Sequence, residues 1–314
     1  MADVKAFGER LMTSLEKVIV GKRQSLELVV IGLLCQGYIL IEDVPGVGKT
    51  MLARSLARSL DCVFNRIQFT PDMLPSDVTG VSIYNQQKNE FEFRPGPIIG
   101  QVILADEINR ATPKTQAALL EAMEERQVSL EGETQSLPEL FLVVATQNPI
   151  EFEGTYPLPE AQLDRFMFKI QMGYPSAEAE RIMLKNWQEG HYRRYSPKPD
   201  AILQVSEILA CRNALRQVKV EDSVINYLQE LVDKSRKMSD LALGASPRSA
   251  LLWLGSAKAH AAIEGKDFVT PDNIKFVAEP ILRHRLALTP EAELEGITIE
   301  QVIAKLMKQV TVPR

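Results

Sequence analysis

Glu42-Asp43-Val44-Pro45-Gly46-Val47-Gly48-Lys49-Thr50 separates a short apolar run, Tyr38-Ile39-Leu40-Ile41, from a stretch in which Leu52, Leu56 and Leu60 recur every four residues. The run has the continuous apolarity of a strand buried on both faces, and the leucine spacing lays one apolar stripe along a helix. With Gly46 and Gly48 in the connecting loop, backbone N–H groups can turn inward around an anion. The N-terminus of the following helix adds partial positive charge at the same place. A triphosphate suits that geometry, with Lys49 reaching its β- and γ-phosphates and the Thr50 hydroxyl ligating Mg²⁺. The usual pattern, G-x-x-x-x-G-K-[ST], has glycine where this chain has Asp43. The competing reading is a chance loop between strand and helix.

A second apolar run, Val102-Ile103-Leu104-Ala105, ends on Asp106-Glu107. An acid at the end of a buried strand beside such a loop can hold the Mg²⁺ shell, which fits Asp106. Glu107 can take a proton from an attacking water. Phosphotransferases do not aim a base at water, so the pair favours hydrolysis over kinase chemistry. The alternative is that two carboxylates merely end a strand and cap a helix.

Outward from these elements, short apolar runs alternate with helical patterns up to about residue 172, the mark of a parallel α/β sheet. Phe141-Leu142-Val143-Val144-Ala145, Cys62-Val63-Phe64 and Phe166-Met167-Phe168-Lys169-Ile170 are further strand candidates. Two segments, 81–93 and 127–137, read as β-hairpins, the second turning near Glu131-Gly132. After Gly173-Tyr174-Pro175-Ser176 the pattern becomes helical, over 177–188, 202–215, 222–237 and 249–265. The Pro271-Asp272 pair opens another helix, and Thr298 is the expected N-cap of a last one over 298–308. A domain boundary is expected near residue 175.

The chain of 314 residues has a formal charge of −5 and a pI of about 5.5. No global positive field is available to hold a nucleic-acid backbone. The longest apolar run, Leu28 to Cys35, is too short to span a bilayer, and the N-terminus lacks a secretion signal, so a cytoplasmic location is expected. Cys35, Cys62 and Cys211, like His191, His260 and His284, are scattered without metal-ligand or disulfide spacing. Trp187 and Trp253 lie in helical patterns and are expected to pack in the core. Tyr84, Phe91 and Phe93 on the first hairpin either grip a partner or pack the hairpin onto the sheet.

Leu104-Ala105-Asp106-Glu107-Ile108-Asn109-Arg110-Ala111, Ala145-Thr146-Gln147-Asn148-Pro149 and the run from Gly154 to Phe166 together resemble the MoxR family of AAA+ ATPases, in the helix-2-insert clade. The phosphate loop is similar to that family's too, Asp43 included. The resemblance covers essentially the whole chain. It implies a P-loop core, residues 1–175, with a five-stranded parallel sheet of order 5-1-4-3-2 flanked by helices, and a small all-α lid, residues 176–314.

It also implies roles that spacing does not. Asn148 matches the sensor 1 residue that helps place the water. Arg165 matches an arginine finger reaching the neighbouring subunit's γ-phosphate, and Arg248 matches sensor 2 on the lid. ATP contacts are expected from Val20 and Gly21, which match the segment closing over adenine, and from Val44, Pro45, Gly46, Val47, Gly48, Lys49, Thr50 and Met51. From the residues alone, Asn148 could be an ordinary buried hydrogen-bonder, Arg165 an ion pair with Asp164, and Arg248 a solvated helix start. Arg110 joins a subunit contact or only caps the helix from Pro113. The hairpins match the helix-2 insert and the pre-sensor-1 hairpin.

The resulting expectation is a Mg²⁺-dependent ATPase ring, assembled as a homo-hexamer in the family's manner, remodelling or metal-loading client proteins with a separate von Willebrand factor A domain protein as adaptor. A nucleotide-gated scaffold with slow turnover and a nucleic-acid motor are the alternatives.

Overall fold

The computed structural model describes residues 3–130, 133–149, 154–190 and 203–313. Two helices open the chain, α1 (Val4–Glu16) and α2 (Arg23–Leu34). Neither was delimited from sequence, because the apolar run Leu28–Cys35 has no polar face to reveal its period. Nine residues of α2 are buried, so it lies inside the core between sheet and lid.

The α/β unit follows in chain order as β1 (Tyr38–Glu42), α3 (Lys49–Ser59), β2 (Phe64–Gln68), α4 (Pro75–Thr79), β3 (Gly80–Asn85), β4 (Glu90–Pro95), β5 (Val102–Asp106), a 3₁₀ turn (Ile108–Arg110), α5 (Pro113–Glu125), β6 (Gln127–Leu130), β7 (Glu133–Ser136), β8 (Leu142–Gln147), α6 (Glu160–Leu163) and β9 (Phe166–Ile170). The main sheet has five strands in the order β2-β5-β8-β1-β9, and every pairing in it is parallel. Numbered among themselves these strands run 5-1-4-3-2 from the β9 edge, as expected. β1 sits between β8 and β9, so the loop that follows it emerges from the middle of the sheet's carboxyl edge, where open α/β sheets bind ligands.

β2 begins at Phe64, not Cys62. The Cys62 amide still closes the end of α3 on Ala57 O, and Val63 O accepts from Gln101 and Val102. Being an edge strand, β2 carries polar Asn65, Arg66 and Gln68 where a central strand would be apolar. The first hairpin pairs Tyr84 directly opposite Phe91, with ring centroids 5.2 Å apart, edge to face. Both rings are exposed while Phe93 is half-buried, so the pair packs on itself and outward from the sheet. The turn expected near Glu131-Gly132 lies outside the described residues.

Beyond Ser176, which N-caps it through Ala179 N, the chain continues as α7 (Ala177–Gln188), α8 (Val205–Leu215), α9 (Asp222–Ser235), β10 (Leu241–Leu243), α10 (Pro247–Glu264), α11 (Pro271–Leu282), β11 (Ala287–Leu288), α12 (Pro290–Leu294) and α13 (Ile299–Gln309). The expected cap holds: Thr298 accepts from Gln301 N at the start of α13. One addition to the helical lid is the short antiparallel pair β10–β11. The lid core is continuous with α1, α2 and one face of the sheet. Trp253 is fully buried there and donates to Ile274 O at 2.7 Å.

Trp187 corrects the sequence reading. It is 71% exposed on α7, with Ile182, Met183 and Leu184 also exposed. Periodicity found the stripe but carried no information on whether another element covers it. Within the described residues, no helix is long and apolar enough to cross a membrane.

Candidate active site

The β1–α3 loop is built around two left-handed glycines, Gly46 at φ +88 and Gly48 at φ +92. A Cβ on Gly46 would meet nothing within 4 Å, so that glycine serves the backbone turn and not close packing. Gly48 stands at the N-cap of α3, and no side chain caps the helix. The first-turn amides therefore face an accessible loop without a side-chain acceptor, a chain arrangement suited to an anion. Ile19, which precedes Val20 and Gly21 in the chain, lies 3.6 Å from where a Cβ on Gly48 would stand. Val47 and Met51 are partly buried against the core.

Lys49 leads α3, and its ammonium donates to Asp43 O at 2.7 Å. Burial draws its pKa below the ordinary lysine value, while the carboxylates of Asp106, Asp43 and Glu107 act in the opposite sense. The lysine and the acidic pair thus share one electrostatic neighbourhood, although 57 residues separate Lys49 from Asp106 in the chain. Parallel register explains the meeting. Gln68 pairs with Asp106 across β2–β5 and Glu42 with Gln147 across β1–β8, so the carboxyl ends of four strands finish level.

Asp106 is 7% exposed. Its Oδ1 accepts from the Thr146 hydroxyl at 2.6 Å, and its Oδ2 takes Arg66 Nε at 3.0 Å and Nη2 at 2.7 Å. Glu107 adopts the left-handed conformation, φ 57, which turns the chain out of β5 into the 3₁₀ segment and costs a non-glycine residue of order 1–3 kcal/mol. Its amide donates to Thr146 Oγ1 at 2.8 Å, and its Oε2 accepts from Gln68 Nε2 at 2.8 Å. Arg110 Nε lies 3.4 Å from the same oxygen. Asn148 follows β8 directly and is buried, with its carbonyl 3.5 Å from Asn109 Nδ2.

Arg165 and Arg248 converge elsewhere. Arg165 pairs with Glu124 Oε2 at 2.7 Å, not with Asp164. Arg248 Nη1 lies 3.7 Å from Glu124 Oε1 and its Nε 3.8 Å from Asp164 Oδ2. The structure therefore joins the two arginines to each other at the end of α5, and their ion-pair partners are not residues of the loop. Asp164 is held in turn by Arg285, buried at 6% exposure, through a 2.7 Å contact.

Sequence reasoning missed Arg66, Gln68 and Thr146, which orient the acids, and Glu124, which holds the arginines. Strand register and helix packing bring Arg66, Gln68 and Glu124 there without a local motif, and Thr146 stands inside the Ala145–Pro149 string, where spacing gave it no role. Burial pushes the Cys35 thiol up to about 12 and those of Cys62 and Cys211 to about 11, leaving none poised as a nucleophile. Among the described residues no group of three or more His, Cys, Asp or Glu is arranged to hold a metal ion by itself. Mg²⁺ suits such a site better than zinc, since it is commonly held by one carboxylate, a hydroxyl and substrate phosphates. Thr50 and Asp106 would be the protein ligands of such a cation, and Asp106 would then have to exchange Arg66 for it.

A lysine-bearing glycine loop beside an acidic pair at the carboxyl edge of a 5-1-4-3-2 sheet defines a P-loop nucleotide hydrolase. Residues 38–168 match the ATPase family associated with various cellular activities (AAA), and residues 233–306 match the AAA lid domain. The chain is 49% identical to the uncharacterized protein YeaC of Bacillus subtilis over 95% of its own length and 92% of that protein's. It is 43% identical to chaperone MoxR1 of Mycobacterium tuberculosis, covering 98% of this chain and 82% of that one. A crystal structure of a candidate ATPase from Cytophaga hutchinsonii superposes with a TM-score of 0.90 at 40% identity, covering 99% of this chain and 97% of that one. The chain belongs to the MoxR family of AAA+ ATPases, and its chemistry is nucleotide binding and ATP hydrolysis.

Proposed function

We propose that the chain is a Mg²⁺-dependent ATPase whose site is completed by an adjoining protomer, and that it works as a cytoplasmic ring of six identical subunits. Lys49 and the amides of Gly46 to Thr50 hold the phosphates, Val44 and Pro45 shape the loop, and Val20, Gly21 and Met51 close over the base. Thr50 and Asp106 hold the Mg²⁺, which would neutralise charge on the β- and γ-phosphate oxygens. Glu107 accepts the proton of the attacking water, and Asn148 places that water. Arg165 and Arg248 leave Glu124 for the γ-phosphate bound by the neighbour.

The observation that carries this reading is the division of the machinery. Lys49, Asp106 and Glu107 share one neighbourhood, whereas both candidate phosphate-sensing arginines sit together on Glu124 and Asp164. One protomer supplies the cradle and the next supplies the arginines. An arginine finger is worth about 10³–10⁵ in rate in other nucleotide hydrolases, so an isolated protomer would be nearly idle. In this reading residues 1–175 form the nucleotide-binding core and 176–314 the lid, with the hinge near 175.

The work done is remodelling or metal-loading of client protein complexes. An acidic chain, −5 in formal charge, suits protein clients better than nucleic acid. A separate von Willebrand factor A domain protein is the proposed adaptor. The deciding experiment is ATPase activity per protomer across a dilution series with assembly measured in parallel. Activity should rise with assembly; equal activity in dilute monomer and in the assembled form would defeat the shared-site mechanism.

A further inference from the structure

Asp43 occupies the loop position where the usual pattern has glycine, yet its φ is not positive, so the backbone there makes no demand for glycine. The side chain is buried at 8% exposure. Its Oδ1 accepts the Val44 amide at 2.8 Å, and its Oδ2 accepts the amide of Gly173 from 130 residues away. Its own carbonyl receives the Lys49 ammonium at 2.7 Å. Gly173, at φ +64, lies between the last sheet strand and α7. The carbonyls flanking it, Met172 O and Tyr174 O, are gripped by Lys22 Nζ at 2.5 and 2.6 Å. Next to Lys22, a Cβ on Gly21 would fall 2.7 Å from Ala179 Cβ on α7. Both edges of the nucleotide site are thus stitched to the same short junction.

We infer that Asp43 is a positioning residue that couples occupancy of the loop to the core–lid junction through Gly173. The inference rests on the loop being the nucleotide site. A phosphate that draws Lys49 off the Asp43 carbonyl releases one of the contacts fixing residue 43, and the carboxylate carries that displacement to the Gly173 amide. Lys22 keeps the two flanking carbonyls in step, so the junction turns as a unit. Binding alone gives no reason for an acid here, because a carboxylate beside a triphosphate repels it. The bond to Gly173 supplies the reason, since a carboxylate oxygen holds a backbone N–H more strongly than a neutral acceptor does.

The test uses the full chain with Asp43→Gly and Asp43→Asn, and two separate readouts. Titration with mant-ATP measures affinity. Emission of Trp187 upon adding ATPγS reads the junction, because Trp187 is exposed on the first helix past Gly173 while Trp253 is fully buried; Trp187→Phe must abolish the signal. Wild type should bind mant-ATP and show a saturable emission change. Asp43→Gly should bind within about threefold of wild type yet lose most of that change, with kcat falling and KM held. Asp43→Asn, which keeps one acceptor oxygen, should give an intermediate response, and it decides the matter if Asp43→Gly does not fold. A wild-type-sized response in Asp43→Gly or, if that variant does not fold, in Asp43→Asn overturns the coupling. So does a loss of affinity of about tenfold or more, which would make Asp43 a binding residue, and so does wild-type binding without any emission change. A flat mant-ATP titration of wild type removes the nucleotide reading itself and is recognised by the absence of binding, not by an altered response.

Discussion

Gln68 donates its side-chain amide to the carboxylate of Glu107 at 2.8 Å, so the acid proposed to activate water is oriented from a neighbouring strand. Glu107→Gln would keep a polar partner for Gln68 and lose the basic oxygen. The expected result is nucleotide affinity close to wild type and turnover lower by about 10²–10⁴, measured by mant-ATP titration and steady-state phosphate release.

Arg165→Ala and Arg248→Ala should each bind ATP normally and lose turnover in the assembled protein, by about 10³ or more for Arg165. Lys49→Ala should lose nucleotide binding. Mixing Lys49→Ala with Arg165→Ala supplies an intact cradle from one chain and an intact arginine from the other. Activity should return in the mixture although each variant alone is inactive; a mixture as inactive as its components would place both residues in one protomer's site.

His284 makes stability pH-dependent in a defined direction. Burial holds its pKa well below 6.5, helped by the charges of Arg285, Lys169 and Arg283 and opposed by its bond to the Phe166 carbonyl. The folded chain keeps the ring neutral where the unfolded chain would take a proton. The contribution is therefore whole above about pH 6.5 and is lost as pH falls below it, by up to about 1.4 kcal/mol per unit. Urea midpoints for wild type and His284→Gln, taken from pH 7.5 to 5, should converge toward the acid end.

Arg285 ties the end of α11 to the start of β9. It pairs with Asp164 at 2.7 Å and donates to Met167 O at 3.0 Å, Ile281 O at 2.7 Å and Asp164 O at 3.0 Å, as well as to Phe166 O. Arg285→Met strands those acceptors in the interior. Unfolding free energy should drop by about 3–5 kcal/mol, read as a lower denaturant midpoint with an unchanged m-value.

What could be read in the sequence was whatever local spacing encodes. Lys49 and Thr50 follow glycines at fixed offsets, Asp106 and Glu107 end an uninterrupted apolar run, and Thr298 precedes its helix. Arg66 and Gln68 could not be read, since their meaning depends on which strand lies alongside β2 and in what register. Trp187 misled because a helical stripe looks the same whether or not something covers it. The ion pair of Arg165 with its sequence neighbour Asp164, the alternative that spacing offered, does not form: helix packing gives Arg165 Glu124, and Asp164 goes to Arg285. Asp43 was noticed as a departure, and its bond to Gly173 shows what spacing omits: a partner just past β9, the strand paired with β1.

Glu124 has a consequence for how protomers meet. With one carboxylate already compensating two guanidinium groups, Arg165 and Arg248 do not offer bare positive charge to polyanions indiscriminately. Docking onto a neighbour's phosphate would then be an exchange of anions, and its driving force only the difference between a triphosphate and a side chain. In the proposed ring such a swap would favour assembly when the neighbour is loaded and little otherwise, which would make its cohesion a readout of fuel.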